Sequence, residues 1–151
     1  MIRGFEKINS ERDNKNVKLP VRKTKHSVAY DLFSPVEVNI PAGKSVVVKT
    51  GIKAYFQEDE VLHIYTRSGL GCKYGIQLRN SVAVIDSDYY NNPDNEGELL
   101  VALLNTSGKE FTISRGDRFC QAMFQKVLLA DDDISPDQQR IGGYGSTGNK
   151  N

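Results

Sequence analysis

The sequence predicts an all-β fold, a distorted jelly-roll sandwich or barrel, and three observations support this prediction. Short apolar segments alternate with polar residues at the two-residue period of half-buried strands. Clusters of Gly, Asn, Asp and Pro separate these segments. No long segment combines a capping residue with an apolar period of 3.6 residues, so helical and α/β architectures are not expected.

The predicted strands follow one another closely along the chain. Residues 36–40 alternate apolar and polar side chains, and the Pro-Ala-Gly turn at 41–43 leads into a second strand over 45–56. Further strands are predicted at 61–66, 81–86, 99–104, 109–113 and 119–129. Many short strands with frequent turns are typical of sandwiches and jelly rolls.

A chain of 151 residues is expected to form a single domain, 1–151, that buries its own core. We place the core at about 17–130. The charged, proline-containing segment 131–139 is predicted to be a linker, followed by a C-terminal arm, 140–151. Residues 140–148 hold four glycines, so this arm is either a disordered tail or a flexible lid that orders on a ligand.

Composition excludes several classes of function. Lys and Arg number 20 against 19 Asp and Glu, so no basic signal of a nucleic-acid-binding protein is present. The longest purely apolar run, 99–104, is too short to span a membrane. Cys72 and Cys120 lack metal-ligand spacing and follow no secretory signal, so we expect reduced, buried thiols in a cytoplasmic protein.

Five segments place polar residues or glycines where strands should end. They are VAYDLFS (28–34), TRSGLG (66–71), RNSVAVIDSDYY (79–90), RGDRFCQ (115–121) and RIGGYGSTG (140–148). Their order and spacing resemble the five motifs of the trimeric dUTPases over most of the chain. The resemblance implies a homotrimeric jelly roll with each active site assembled from several chains.

The second segment has the composition of a phosphate-binding loop. An arginine, a hydroxyl and two glycines after a strand can direct N–H groups and a guanidinium at phosphate oxygens, although an ordinary turn has the same composition. The resemblance assigns Arg67, Ser68 and Gly69 to the triphosphate, with Ser68 near the bridging oxygen of the leaving group.

The third segment is a predicted strand that ends in two carboxylates. Taken alone, the two carboxylates, Asp86 and Asp88, could simply cap a turn. The resemblance makes Asp86 the catalytic residue that orients the attacking water. It also implies that Asn80 contacts the uracil edge and that Tyr89 packs under the deoxyribose, where an added 2′-OH would clash.

The first and fourth segments are expected to contribute to the phosphate and metal region. The resemblance implies that Asp31 approaches Mg²⁺ through water, the metal being held mainly by the substrate's phosphates. From the local sequence, Asp31 could equally well satisfy backbone N–H groups. Arg118 and Gln121 are placed near the phosphates, whereas Arg115 and Asp117 are expected to stabilise their turn.

The arm takes the role of a lid in the resembled family. There its aromatic ring stacks on uracil, so Tyr144 is predicted to stack. Arg140, Ser146 and Thr147 are predicted to bind phosphate. Closure would exclude water from the site.

The chain departs from the family pattern at several positions. Ala29 and Ala83 replace glycines, so those turns are expected to be slightly reshaped, Tyr144 replaces phenylalanine, and the arm is one residue shorter after Arg140. Residues 90–96 intervene before the usual Gly-Glu pair, either as a solvated turn or as a loop that contacts a protein partner. His63 matches no motif and is expected to be a structural strand residue.

The resemblance implies Mg²⁺-assisted hydrolysis of dUTP to dUMP and pyrophosphate, by in-line attack of water on the α-phosphorus. A dCTP deaminase would need a carboxylate on the strand 99–104, which has none. A regulatory protein-binding module that uses the 90–96 insert is an alternative of another class.

Overall fold

The computed structural model describes residues 1–134, which form eleven strands and only single-turn helices. The strands are β1 Gly4–Lys7, β2 Tyr30–Phe33, β3 Val38–Ile40, β4 Ser45–Lys49, β5 Ile52–Tyr55, β6 Glu60–Thr66, β7 Ile76–Leu78, β8 Ala83–Ile85, β9 Leu100–Asn105, β10 Phe111–Ile113 and β11 Arg118–Lys126. Short 3₁₀ helices span Asn9–Glu11 and Ser87–Tyr89, and a π-helical turn spans Gly69–Lys73. The predicted all-β class is confirmed.

The strands of residues 1–134 form four antiparallel sheets. A four-stranded sheet has the order β2-β11-β6-β8, and a three-stranded sheet has the order β4-β9-β7. The two remaining sheets have two strands each, β1-β5 and β3-β10. Neighbours such as β2 and β11 are far apart in sequence, so the long-range register of the sheets decides which loops meet.

The core lies between the two larger sheets. Leu62 and Ile64 of β6 are fully buried and share one apolar cluster with Val101 and Leu103 of β9. The alternate residues of β6, His63 and Tyr65, lie on the opposite, outward face, as the period of a strand requires. Burial of such a side chain stabilises the fold by about 1.5–3 kcal/mol, so this alternation fixes the register of β6.

The structure modifies the predicted strands in two places. The segment 45–56 is not one strand, because Gly51 has a φ of +69° and breaks it into β4 and β5. The N-terminal strand β1, which its charged sequence does not predict, pairs with β5. Ala83 lies within β8, and neither Ala29 nor Ala83 has a positive φ; a reshaped backbone at these alanines relative to the family stays a prediction.

Both cysteines are free thiols, but only one of them is buried as expected. Burial, together with the nearby Asp31 carboxylate, raises the pKa of the Cys120 thiol well above its ordinary value. Cys72 is exposed in the π-helical turn, so the prediction of burial is wrong there. Among residues 1–134 no helix is long and apolar enough to cross a membrane.

Candidate active site

Asp31 forms the centre of a charged cluster at one end of the four-stranded sheet. The Nε of Arg67 lies 3.1 Å from Asp31 Oδ1, and the Nη1 of Arg118 donates a hydrogen bond of 2.9 Å to Oδ2. The Asp31 side chain is 12% exposed and the two arginines about 30%. The Asp31 side chain therefore pairs with two guanidinium groups. This differs from the alternative in which it accepts hydrogen bonds from backbone N–H groups.

Strand pairing brings these residues together. Asp31 lies opposite Gln121 in the β2–β11 register, and Gln121 lies opposite Tyr65 of β6. The Gln121 amide donates to the carbonyl of Thr66 at 3.2 Å, and Arg67 Nη1 donates to the carbonyl of Arg118 at 3.0 Å. Three predicted segments, the first, second and fourth, thus meet at one place.

Ser68 and Gly69 lie directly after this cluster. The π-helical turn is closed by the N–H groups of Leu70 and Gly71, which both donate to the carbonyl of Arg67 at 3.0 Å. A Cβ built on Gly69 would meet nothing within 4 Å, so open space surrounds the loop at this point. The loop leaves room for an anionic ligand next to the two guanidinium groups.

The turn of the fourth segment is stabilised by Asp117, as predicted. Its carboxylate accepts a hydrogen bond of 3.0 Å from the N–H of Ser114, and its own N–H donates to the Ser114 carbonyl. Strand β11 begins with Arg118 directly after this turn, so the turn fixes the backbone position from which the Arg118 side chain extends.

Asp86 and Tyr89 lie at a different corner of the molecule. Asp86 directly follows β8 and precedes the 3₁₀ helix Ser87–Tyr89, whose last residue is 7% exposed. A cavity of about 520 Å³ lies beside Asp86 and is also lined by His63, Val84 and Gln125. The prediction that His63 is a strand residue is confirmed: it belongs to β6 and hydrogen bonds with Gln125 and Tyr65.

Asn80 lies in the turn between β7 and β8. The N–H of Ser81 donates to the Leu78 carbonyl and that of Val82 to the Asn80 carbonyl, and Ser81 adopts a φ of +65°. Asn80 itself is exposed and lines a separate cavity of about 500 Å³ with Ser45 and Arg79. The strand β8 thus stands between Asn80 and Asp86.

A single chain does not bring Asp86 to the arginine cluster. Asp86 follows Ile85, which pairs with Leu62 near the start of β6, whereas Arg67 follows the end of β6. Asp31 also lies three strands away from β8 in the sheet order. Strand spacing and rise place the backbones of Asp31 and Asp86 roughly 20 Å apart.

The insert 90–96 folds against its own chain. Asn92 is 4% exposed, and its amide donates to the Tyr89 carbonyl at 2.8 Å. Lys53 of β5, whose side chain is 7% exposed, donates to Asn91 Oδ1 at 2.6 Å and lies 3.6 Å from Glu96. The insert is a turn with Asn91, Pro93 and Asp94 exposed, as expected, but its buried Asn92 packs against the chain. The sequence motifs do not single out Lys53, Asn92 and Asn95, which hold this loop and Tyr89 in place.

Within residues 1–134, no group of three or more His, Cys, Asp or Glu side chains is arranged to hold a metal ion. Asp31 accepts a hydrogen bond from Arg118 at Oδ2, and its Oδ1 forms an ion pair with Arg67. The predicted arm residues lie outside the described residues: Arg140, Tyr144, Ser146 and Thr147.

Comparison with known proteins gives a consistent result over nearly the whole chain. The dUTPase family model matches residues 15–148. A deoxyuridine 5'-triphosphate nucleotidohydrolase of Lactococcus lactis is 43% identical over 148 residues, which is 97% of this chain and 98% of that protein. One from Haemophilus ducreyi is 37% identical over 149 residues, covering 94% of each chain.

Solved structures agree with these relatives. The crystal structure of a dUTPase from Streptococcus mutans has a TM-score of 0.78 and 44% identity, covering 85% of this chain and 98% of that one. A dUTPase of phage phi11 of S. aureus, described with a structural Mg(II) ion, has a TM-score of 0.74, but its identity of 17% supports the fold alone.

Proposed function

The chain belongs to the dUTPase family and is a dUTP diphosphatase, and from its geometry we propose which residues carry out the reaction. It hydrolyses dUTP to dUMP and pyrophosphate. The observation that supports a phosphate site most directly is the pairing of Arg67 and Arg118 with one carboxylate, Asp31. Two cations and one anion leave a net charge of +1, which favours binding of a polyphosphate.

We assign the triphosphate to Arg67, Ser68, Gly69, Arg118 and Gln121. The two guanidinium groups are already oriented by Asp31, so little side-chain freedom is lost when phosphate binds. Preorganised positive charge at this place stabilises the negative charge that develops on the departing pyrophosphate. Arg140, Ser146 and Thr147 of the arm are proposed to complete the phosphate contacts and Tyr144 to stack on the base.

Magnesium fits this arrangement only as a partner of the substrate. Asp31 is a single carboxylate beside the phosphate loop, and Mg²⁺ is usually bound by one or two carboxylates together with phosphates and waters. Asp31 would contact waters of the ion, while the phosphates hold it. The ion supplies charge neutralisation on the phosphate oxygens when it is bound.

Asp86 is proposed as the general base for the attacking water. It follows a short strand whose pairing with β6 fixes its backbone, and a carboxylate at a strand end meets solvent on a rigid support. Asn80 is proposed to contact uracil, and the buried ring of Tyr89 is proposed to lie under the deoxyribose.

The roughly 20 Å between Asp31 and Asp86 supports a site shared between chains. We propose that copies of the chain assemble as a homotrimer, so that the arginine cluster of one chain faces Asp86 of another. The exposed apolar side chains of Val84 and Leu129, 61% and 73% exposed, line the cavity beside Asp86 and would be covered by a neighbouring chain.

We place the enzyme in the cytoplasm. Its two cysteines are free thiols, as is usual in that reducing compartment. Regulation of a protein partner by the insert 90–96 stays a prediction. The insert directs Asn91, Asn92 and Glu96 at its own chain, so that observation favours a role within the enzyme instead.

The assignment is tested with Asp86→Asn. This variant should bind dUTP with near wild-type affinity, measured by calorimetry, because the amide keeps the shape of the side chain. Its turnover should fall by about 1,000-fold or more, since the base is lost. Near-normal release of pyrophosphate would remove Asp86 from this role. Assays with dUTP, dCTP, dTTP and UTP define the substrate range, and ammonia release from dCTP would contradict the diphosphatase assignment.

A further inference from the structure

Tyr89 is held by side chains of the loop that follows it. The Asn95 amide donates a hydrogen bond of 2.8 Å to the Tyr89 hydroxyl, which in turn donates to the Glu98 carbonyl at 2.7 Å. The Asn92 amide donates to the Tyr89 carbonyl at 2.8 Å. Both ends of the tyrosine are therefore fixed by residues that lie within nine positions of it in sequence.

The loop has an ordered internal structure. Asn92 Oδ1 accepts hydrogen bonds of 3.1 Å from the N–H groups of Asp94 and Asn95. Asn95 Oδ1 accepts from the N–H of Gly97 at 3.1 Å and from the Asn92 amide at 2.8 Å. The acceptor atom of Asn95 thus holds the loop together, while its donor atom reaches the tyrosine ring.

The loop is also fastened to the N-terminal part of the chain. Lys53 donates to Asn91 at 2.6 Å and lies 3.6 Å from Glu96. The Glu96 carboxylate accepts from the N–H of Asn9 at 3.1 Å, and the hydroxyl of Tyr90 donates to Glu6 at 2.8 Å. A buried ammonium and two side-chain anchors therefore keep the loop from moving freely.

We propose that Asn95 is a positioning residue that sets the discrimination of this enzyme between deoxyribonucleotides and ribonucleotides. The inference rests on the proposed place of Tyr89 under the sugar. A ring that excludes a 2′-OH by contact must be held to within about 0.5 Å, because a small displacement opens room for one oxygen atom. The hydrogen bonds of Asn95 and Glu98 to the hydroxyl fix the far end of that ring.

Asn95→Asp tests the contact with little change of shape. The variant keeps the acceptor for Gly97 and Asn92 but replaces the donor to Tyr89 with a second acceptor. The ratio of kcat/KM for dUTP to that for UTP should fall by about fivefold to tenfold, the effect of one hydrogen bond. Asn39→Asp makes the same change at an exposed position of β3, remote from the loop, and should leave the ratio unchanged.

A double-mutant cycle identifies the route of the effect. In a Tyr89→Phe background the hydroxyl is absent, so Asn95→Asp should change the ratio no further. An equal change in both backgrounds would overturn the proposal, because the effect would not pass through the hydroxyl. Lys53→Met removes the contacts of Lys53 with Asn91 and Glu96 and leaves Asn95 in place, so it should also lower the ratio. This variant replaces Asn95→Asp as the test if Asn95→Asp does not fold.

The outcomes separate this inference from the proposed function. A selective wild-type enzyme with an unchanged ratio in Asn95→Asp and Lys53→Met would overturn the inference alone. A wild-type enzyme that hydrolyses UTP as fast as dUTP would overturn the proposed place of Tyr89 and this inference together.

Discussion

Asp31 and Arg118 are 87 residues apart in sequence and form a hydrogen bond of 2.9 Å between Oδ2 and Nη1. The other carboxylate oxygen, Oδ1, lies 3.1 Å from Arg67 Nε in an ion pair. One partly buried carboxylate therefore aligns two guanidinium groups that come from separate segments of the chain. In the proposed mechanism this alignment precedes the arrival of the triphosphate.

Asp31→Asn should weaken catalysis through both arginines. The amide cannot pair with two cations, so each guanidinium gains rotational freedom and must be ordered by the substrate. We expect kcat/KM for dUTP to fall by about 10-fold to 100-fold, measured by steady-state release of pyrophosphate.

A matched control is Asp59→Asn. Asp59 pairs with Lys126, and both side chains are more than 60% exposed. Exposed ion pairs contribute about 0–1 kcal/mol, so this variant should retain wild-type kinetics. Wild-type kinetics in Asp31→Asn as well would show that the arginines need no such alignment.

Much of the fold could be predicted from the sequence, because its strands carry their own signal. Alternation in 36–40 and the apolar run 99–104 correspond to β3 and β9. The strand β1 could not be predicted, since Gly4–Lys7 holds two charges and depends on pairing with β5. β7, Ile76–Leu78, could not be predicted either, because it forms by pairing with the distant strand β9.

The site could be predicted in composition but not in arrangement. The residue types around Asp31 and Asp86 are evident in the sequence, whereas their separation follows only from the order β2-β11-β6-β8. The roles of Lys53 and Asn95 also depend on long-range packing, because neither residue has a recognisable pattern in its own segment. Local sequence therefore predicts which residue types take part, whereas the pairing of distant strands decides which of them lie close together.

Gly97→Ala should destabilise the protein near Tyr89. Gly97 has a φ of +82°, and an added Cβ would lie 2.6 Å from the Tyr89 carbonyl oxygen and 2.9 Å from the Tyr90 Cα. Backbone strain and the clash together should cost about 1–3 kcal/mol, measured by chemical denaturation.

Gly43→Ala provides the comparison for Gly97→Ala. Its φ is +69°, but a Cβ there would meet nothing within 4 Å, so it isolates the backbone term. Gly97→Ala should be the more destabilising of the two. An equal loss of stability in both variants would mean that the backbone around Tyr89 moves away from the added Cβ with no loss of folding free energy.

Glu60 should make the free energy of unfolding decrease as the pH is lowered into the acid range. Its hydrogen bonds with Arg3, foremost, and with the N–H of Gln57 lower the pKa of this carboxyl. Because the pKa is lower in the folded state, the carboxylate stabilises the protein fully above the unfolded pKa of about 4.3. This stabilisation is lost as the pH falls from that value through the lower pKa of the folded state.

The Tm difference between wild type and Glu60→Gln measures this contribution. It should be present at pH 7 and should shrink as the pH is lowered from about 5 towards 3. Glu58→Gln, at an exposed position nearby, is the control. A Tm difference that stays constant over this range would contradict the role of the Arg3–Glu60 pair.

In the proposed assembly the arginine cluster and Asp86 act together only across chains, and complementation between two inactive variants tests this arrangement most directly. Asp86→Asn and Arg67→Ala are unfolded together and refolded as a 1:1 mixture, with each variant refolded alone as the control. Sites that combine the intact Arg67 of one variant with the intact Asp86 of the other should restore up to about a quarter of wild-type dUTP hydrolysis. A mixture no more active than the separate variants, in assemblies shown to have mixed, would contradict a shared site.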